Sequence, residues 1–176
     1  MYDVVLLIEQ ALSRLDAEQI TSLHSGIEEP VSYHILLPVE DASGRVEATL
    51  GTLAAGEVLA ASALVGDEKD LAALQKEIVD TSREAMATSL AALTSRGVEA
   101  AGEVTTKDPV RALIATVQAF DARETIILTR PHLVAEFFHV DWTSRARRKL
   151  GVPVLHLLEH ESFAEQAGGG EGVSGL

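Results

Sequence analysis

Four short segments of this chain are apolar and rich in β-branched residues, without the polar alternation of a half-exposed strand. They are residues 4–8 (VVLLI), 33–39 (YHILLPV), 125–129 (TIILT) and 152–158 (VPVLHLL). Strands that are apolar on both faces are typical of a parallel sheet with helices packed on each side. These segments therefore predict an α/β fold built on a buried parallel sheet.

Helical patterns separate these strand segments. Residues 10–26 carry leucine and isoleucine at helical spacing, and a longer helix is predicted from Asp67 or Asp70 to Gly97. Asp108-Pro109 is a start signal for a third helix, because aspartate caps free N–H groups and proline at the first helical position has no N–H to satisfy. One apolar face of this helix is then predicted to pack on the sheet, formed by Val110, Leu113, Ile114, Val117 and Phe120.

A loosely alternating segment, residues 98–104, reads as a strand near the sheet edge, and a fourth helix is predicted over 141–150. The alternation gives β1-α1-β2-α2-β3-α3-β4-α4-β5, which predicts an open five-stranded parallel sheet with right-handed crossovers and helices on both faces. We interpret residues 1–160 as one domain with an insertion at 42–67, where neither periodicity is kept. Residues 161–176 are predicted to be a flexible, acidic, glycine-rich tail.

Charge and composition exclude several classes of function. The chain has 14 basic and 27 acidic residues, a formal net charge of −13, which repels nucleic acid and anionic membranes. It has no cysteine, so disulfides, thiolate metal sites and cysteine nucleophiles are excluded. No apolar segment is long enough for a signal peptide or a membrane span. We expect a cytoplasmic protein that binds neither nucleic acid nor membrane.

The predicted ligand site is the crevice where the strand order reverses, between the carboxyl ends of β1 and β4. Arg130 follows β4 and is predicted to face the crevice, where it binds an anionic ligand or forms a structural pair with a nearby acid. The side chains predicted at this crevice are Glu9, Glu40, Asp41, Arg130 and His132.

Three sequence stretches resemble the universal stress protein family: Gly102-Glu103-Val104 with Asp108-Pro109, residues 124–131 (ETIILTRP), and residues 150–156 (LGVPVLH). The resemblance spans about residues 2 to 160. It implies a five-stranded, Rossmann-like, nucleotide-binding-like α/β fold of strand order 3-2-1-4-5 that commonly forms homodimers. ATP-binding members carry an acidic residue at the end of the first strand, which Glu9 matches as a longer substitute for the usual aspartate.

The sequence departs from the family in its phosphate loop. ATP-binding members carry G-x2-G-x9-G-S/T after β4, whose glycines let backbone N–H groups approach the phosphates. Here no glycine occurs between Ile127 and Gly151; Pro131 offers no N–H, and Asp141 repels phosphate. The resemblance is therefore to a divergent, glycine-poor branch, and we expect no cofactor, with neither ATP nor AMP favoured. A non-catalytic regulatory or stress-response role follows, with a small anionic ligand or a protein partner.

Other functional groupings lie in the same stretch. Residues His132, Glu136, His139 and Asp141 form an alternative divalent-metal set for phosphate-ester hydrolysis, and nucleotide binding by a variant mode is a further alternative. Each of these groupings also has a structural interpretation. The basic cluster 145–149 fits a solvated helix end. The aromatic group Phe137, Phe138 and Trp142 fits a packing plug or an interface anchor, and His34 and His156 fit core or interface histidines.

Overall fold

The predicted strands form a single parallel sheet in the computed structural model, which describes residues 1–39, 68–129 and 149–158. In chain order the elements of this described part are β1 (Tyr2–Leu7), α1 (Arg14–Leu23), β2 (Val31–Pro38), α2 (Glu68–Thr94), β3 (Glu99–Thr105), α3 (Pro109–Phe120), β4 (Glu124–Thr129) and β5 (Val154–Leu158).

The sheet order is β3-β2-β1-β4-β5, with every neighbouring pair parallel. This confirms the predicted order 3-2-1-4-5 and the placement of β3 at an edge. The central strand β1 pairs with β2 from Tyr2 to Leu7 and with β4 from Val4 to Leu7.

Residues of β1 alternate between two hydrophobic layers. Val4, Leu6 and Ile8 join the layer that contains α1 and α2, whereas Val5 and Leu7 join the layer that contains α3. Because both faces are covered, the strand has no polar positions in its centre. This double burial explains the unbroken apolar run in the sequence.

Helix α1 is shorter than predicted: it spans Arg14–Leu23 instead of 10–26. Ser13 is its N-cap and forms a capping box with Asp16, in which each side chain accepts a hydrogen bond from the other residue's backbone N–H. The pair Ser13 and Asp16 is thus a helix-start signal present in the sequence, in addition to the periodicity from which residues 10–26 were predicted. Residues 8–13 consequently form a connection between β1 and α1, and α1 begins away from the end of the strand.

The predicted start of α3 is confirmed. Asp108 accepts a hydrogen bond from the backbone N–H of Arg111 at 2.9 Å, and Pro109 occupies the first turn. Asp121 ends the helix in the left-handed conformation, with φ of 49°.

Three residues that the periodicity placed on buried helix faces are exposed: Leu15 by 40%, Leu23 by 41% and Phe120 by 47%. In α1 the buried face is centred on Ala17 and Ile20, so Leu15 projects away from the sheet. Phe120 is the last residue of α3, and its ring stacks on His34 instead of entering the core.

Some predictions fall on residues outside the described part. They are the insertion at 42–67, most of the fourth helix and the tail at 161–176; of that helix only Lys149 and Leu150 are described, and both are helical. Gly151, predicted to follow the helix end, has φ of 69°, a conformation that glycine adopts without strain. Within the described ranges, no helix has the length and apolarity needed to cross a membrane.

We predict that Gly102→Ala lowers the free energy of unfolding by about 1–2 kcal/mol, because the added methyl group forces the packed Met86 side chain on one face of β3 to shift. A Cβ at Gly102 would overlap Sδ of the buried Met86 and lie 3.1 Å from Cβ of Ile35. The matched control is Gly26→Ala, where no atom lies within 4 Å. Chemical denaturation followed by circular dichroism measures both, and equal stabilities of the two variants would contradict the prediction.

Candidate ligand site at the strand reversal

The sheet opens at its carboxyl edge between β1 and β4. The last paired residues of these strands are Leu7 and Ile127. Beyond them the backbone N–H of Ile8 bonds to the carbonyl of Leu36 in β2 at 3.0 Å, while Leu128 continues to pair with β5. The two central chains therefore diverge, and this divergence forms the crevice in which open α/β sheets bind ligands.

The floor of this opening is apolar, because Ile8 and Leu128 are almost completely buried. Glu9 follows directly at the end of β1 and is half-buried, so it lies at the predicted edge. The other predicted site residues, Glu40, Asp41, Arg130 and His132, lie outside the described residues. Their chain neighbours Val39 and Thr129 are at the carboxyl edge.

The amino end of α1 is closed to anions. Asp16 is buried, with 2% exposure, and its carboxylate accepts from the backbone N–H of Ser13 at 2.8 Å. An acidic residue in the first helical turn neutralises the positive end of the helix dipole. A bound anion at the crevice must therefore draw its counter-charge from other residues, and Arg130 and His132 are the cations that the sequence places nearest.

The alternative metal set, His132, Glu136, His139 and Asp141, also lies outside the described residues. The same holds for the aromatic group at 137–142 and for the basic cluster except Lys149, which is exposed. Among residues 1–39, 68–129 and 149–158 no group of three or more His, Asp or Glu side chains is arranged to hold a metal ion.

A buried histidine at the opposite, amino edge of the sheet was missed by the sequence analysis. Nδ1 of His24 lies 2.8 Å from the hydroxyl of Tyr33 and 3.1 Å from the carbonyl of Ile20, while Nε2 is hydrogen-bonded to Glu124. Tyr2 donates to the second oxygen of Glu124 at 3.3 Å. The only sequence hint was the spacing of Ile20 and His24, which puts both on one face of the helix.

The chemistry of this cluster is structural. Burial and the nearby Glu124 carboxylate raise the pKa of the Tyr33 hydroxyl far above its ordinary value of 10.0, so this hydroxyl keeps its proton and its capacity to donate at neutral pH. The Ile20 carbonyl and the Glu124 carboxylate can only accept a hydrogen bond, whereas the Tyr33 hydroxyl can donate, so the tautomer of His24 sets the role of each ring nitrogen. The network ties the carboxyl end of α1 to the beginnings of β1 and β4, away from the crevice.

The two histidines within strands were expected to be core or interface residues. His34 is buried, with 8% exposure, and its Nε2 lies 2.8 Å from Oδ1 of Asp3. His156 is half-buried, and burial lowers the pKa of its imidazole below the ordinary 6.5. Both lie within the sheet, as the strand assignments predicted.

We predict that Glu124→Ala lowers the free energy of unfolding by about 1.5–3 kcal/mol, the cost of leaving a buried polar group without its charged partner. His24 has only 4% of its side chain exposed and Glu124 has 22%. The control Glu29→Ala removes an exposed carboxylate that bonds Met1 and Arg123, and we expect a much smaller loss because exposed ion pairs contribute little. Thermal and urea unfolding measure both; a loss in Glu124→Ala no greater than in the control would contradict the structural role.

Comparison with known proteins identifies the fold. No known family model matches the chain, and no curated protein matches it. Among solved structures, hypothetical protein MJ0577 superimposes with a TM-score of 0.59 at 11% identity, covering 92% of this chain and 99% of that one. A universal stress protein from Archaeoglobus fulgidus superimposes with a TM-score of 0.50 at 15% identity, covering 89% and 93%. At such identities a likeness establishes the fold and leaves function open. The chain therefore has a universal-stress-protein-like α/β fold, in agreement with the resemblance found in its sequence.

Proposed function

We propose that this protein is a non-catalytic regulatory or stress-response protein that binds a small anionic ligand at the crevice between β1 and β4, without a glycine loop. The observation that carries the proposal is the divergence of β1 and β4 beyond Leu7 and Ile127. It supplies the opening for a ligand, while the segment that follows β4 contains no glycine before Gly151.

The missing glycines bear directly on how a phosphate is held. A glycine loop lets several backbone N–H groups surround one phosphate, because no Cβ obstructs the approach. Pro131 contributes no N–H. Side-chain cations must then replace backbone donors, and Arg130, next to the end of β4, has a planar guanidinium that can hold a carboxylate or phosphate by two hydrogen bonds.

The charge balance at the crevice favours a small anion over a triphosphate. The proposed set contains three carboxylates, Glu9, Glu40 and Asp41, against one permanent cation, Arg130, and one titratable base, His132. Two like charges about 4 Å apart repel by about 1 kcal/mol in water and by about 4 kcal/mol near a protein surface. Each additional phosphate charge increases this repulsion, so a singly charged group paired with Arg130 fits the site best.

Isothermal titration calorimetry with ATP, AMP and inorganic phosphate tests the proposed site. We expect no tight ATP binding, weak binding of phosphate, and about tenfold weaker phosphate binding in Arg130→Gln, since one charge-assisted pair is lost.

The matched control is Arg83→Gln, which removes an exposed arginine paired with Asp80 on α2, and we expect it to bind phosphate as the wild type does. Tight ATP binding, retained in Arg130→Gln, would show that the main chain holds the phosphates after all and would overturn the proposal.

Homodimer formation and a cytoplasmic location belong to the same proposal. The support for a dimer is that β5 is an edge strand and that its Leu155 is 40% exposed, since an open apolar edge readily pairs with another chain. Size-exclusion chromatography with light scattering measures the mass. A value near twice 18.7 kDa is expected, and the single-chain mass would exclude the dimer.

A further inference from the structure

A groove runs between α3 and the strands β2 and β3, on the sheet face that carries α3. Its volume is about 560 Å³, within the range of about 300–1,000 Å³ that small-molecule sites occupy. Two strand pairs, His34 beside Ala101 and Leu36 beside Glu103, form its floor. Helix α3 forms the wall.

The groove exists because the facing side of α3 is made of small residues. Ala112, Ala115, Thr116 and Ala119 recur at helical spacing along this side. The larger residues Leu113 and Val117 point instead into the layer formed with β1 and β2. Within the described part of the chain no helix covers this face of β3, and Ala101 and Glu103 are exposed there.

One end of the groove carries two cations. Lys107 and Arg111 line it at the beginning of α3. Neither side chain forms an ion pair with any residue of the described ranges. The carboxylate of Asp108 is occupied in capping the helix. Asp108 keeps its negative charge but does not line the groove. The charged side chains that line this end are Lys107, Arg111 and Glu103, and Glu103 forms no ion pair with a described residue.

The other end is an aromatic platform. The Phe120 ring lies parallel to the His34 imidazole, with centroids 3.7 Å apart and an interplanar angle of 17°, and Phe120 remains 47% exposed. Nε2 of His34 is bonded to Asp3, but its Nδ1 is buried and has no hydrogen-bond partner among the described residues. Because this nitrogen is covered, the exposed face of Phe120 is the surface that this end of the groove offers to a ligand.

We propose that this groove is a second ligand site, separate from the crevice, for a small amphipathic anion: a carboxylate or phosphate carried on a flat aromatic body. The anionic group pairs with Lys107 and Arg111, and the aromatic body lies along the alanine-lined wall towards Phe120. Arg111 and Phe120 are nine positions apart, about 13 Å along the helix at about 1.5 Å per residue. A single aromatic ring on a short acidic chain spans most of this distance.

Two-dimensional ¹H–¹⁵N NMR titration with phenylbutyrate, its neutral amide and inorganic phosphate tests the proposal. We expect phenylbutyrate to shift the amide resonances of Gly102 and Thr116, the neutral amide to bind at least about tenfold more weakly, and phosphate alone to leave Thr116 unchanged. The tenfold difference corresponds to loss of one charge-assisted pair.

Variants that change the charge of the groove test whether it recognises the anionic group of the ligand. Arg111→Gln should weaken phenylbutyrate binding by about tenfold, whereas Glu103→Gln should strengthen it, because a repulsive carboxylate is removed. Arg96→Gln, which removes an exposed arginine beside Glu18 in the turn after α2, is the matched control and should leave binding unchanged. Equal binding of acid and amide, or weaker binding in Glu103→Gln, would overturn the anion assignment.

Two alanine-to-tryptophan variants, one in the groove and one on α2, test whether the ligand binds in the groove. Ala115→Trp fills the groove and should abolish the Gly102 and Thr116 shifts, while Ala91→Trp, an equally exposed helix alanine on α2, should preserve them. The amide spectrum of each variant without ligand shows whether it is folded. Shifts that persist in a folded Ala115→Trp protein would place the ligand elsewhere and overturn the site. Because these variants leave Arg130 intact, loss of groove binding with unchanged phosphate calorimetry separates this proposal from the crevice.

Discussion

The burial of β1 on both faces is the constraint on which the rest of the structure depends. Its residues Val4 to Ile8 have at most 7% exposure, and alternate ones enter the two hydrophobic layers. Full burial of each such side chain stabilises the fold by about 1.5–3 kcal/mol. A strand buried in this way must have parallel neighbours on both edges and helices on both faces. The central position of β1, and therefore the place of the strand reversal beside it, follow from that requirement.

The two edges of the sheet differ in how tightly they are joined. At the amino edge, side chains connect strands and helices: His24 to Glu124, and Asp3 to His34. At the carboxyl edge β1 and β4 separate: the chain after β1 remains hydrogen-bonded to β2, and β4 remains paired with β5. The divergence of β1 and β4 makes the carboxyl edge the place where a ligand can enter between the central strands.

The groove beside α3 has a different physical origin from the crevice. The crevice results from strand order, which any sheet of this topology has. The groove results from side-chain size, because alanines on the facing side of α3 leave the space above β3 unfilled. Lys107 and Arg111 line one end of it, so the two proposed ligand sites differ in both position and origin.

Of the features described above, the crevice could be predicted from the sequence, whereas the cluster around His24 and the groove could not. The crevice position followed from strand order alone, and Glu9 from its place at the end of an apolar run. The cluster around His24 could not be foreseen, because its partner Glu124 is 100 residues away and no local pattern reports such a contact. The groove was missed for a similar reason: the stripe of alanines on α3 is visible in sequence, but its position above an uncovered strand is not.

By itself the sequence determined the class of fold and the start of α3, because unbroken apolar runs and the Asp108-Pro109 pair act through local physics. The order of the strands was implied by the resemblance to a known family. The sequence also determined that a glycine loop is missing after β4. Only the tertiary structure decided which side chains meet. It left Leu15 and Phe120 exposed and joined His24 to Glu124. The start of α1 at Arg14, by contrast, follows from the local capping box of Ser13 and Asp16. Burial and hydrogen-bond partners depend on how elements distant in the chain pack together, and periodicity along one element does not contain that information.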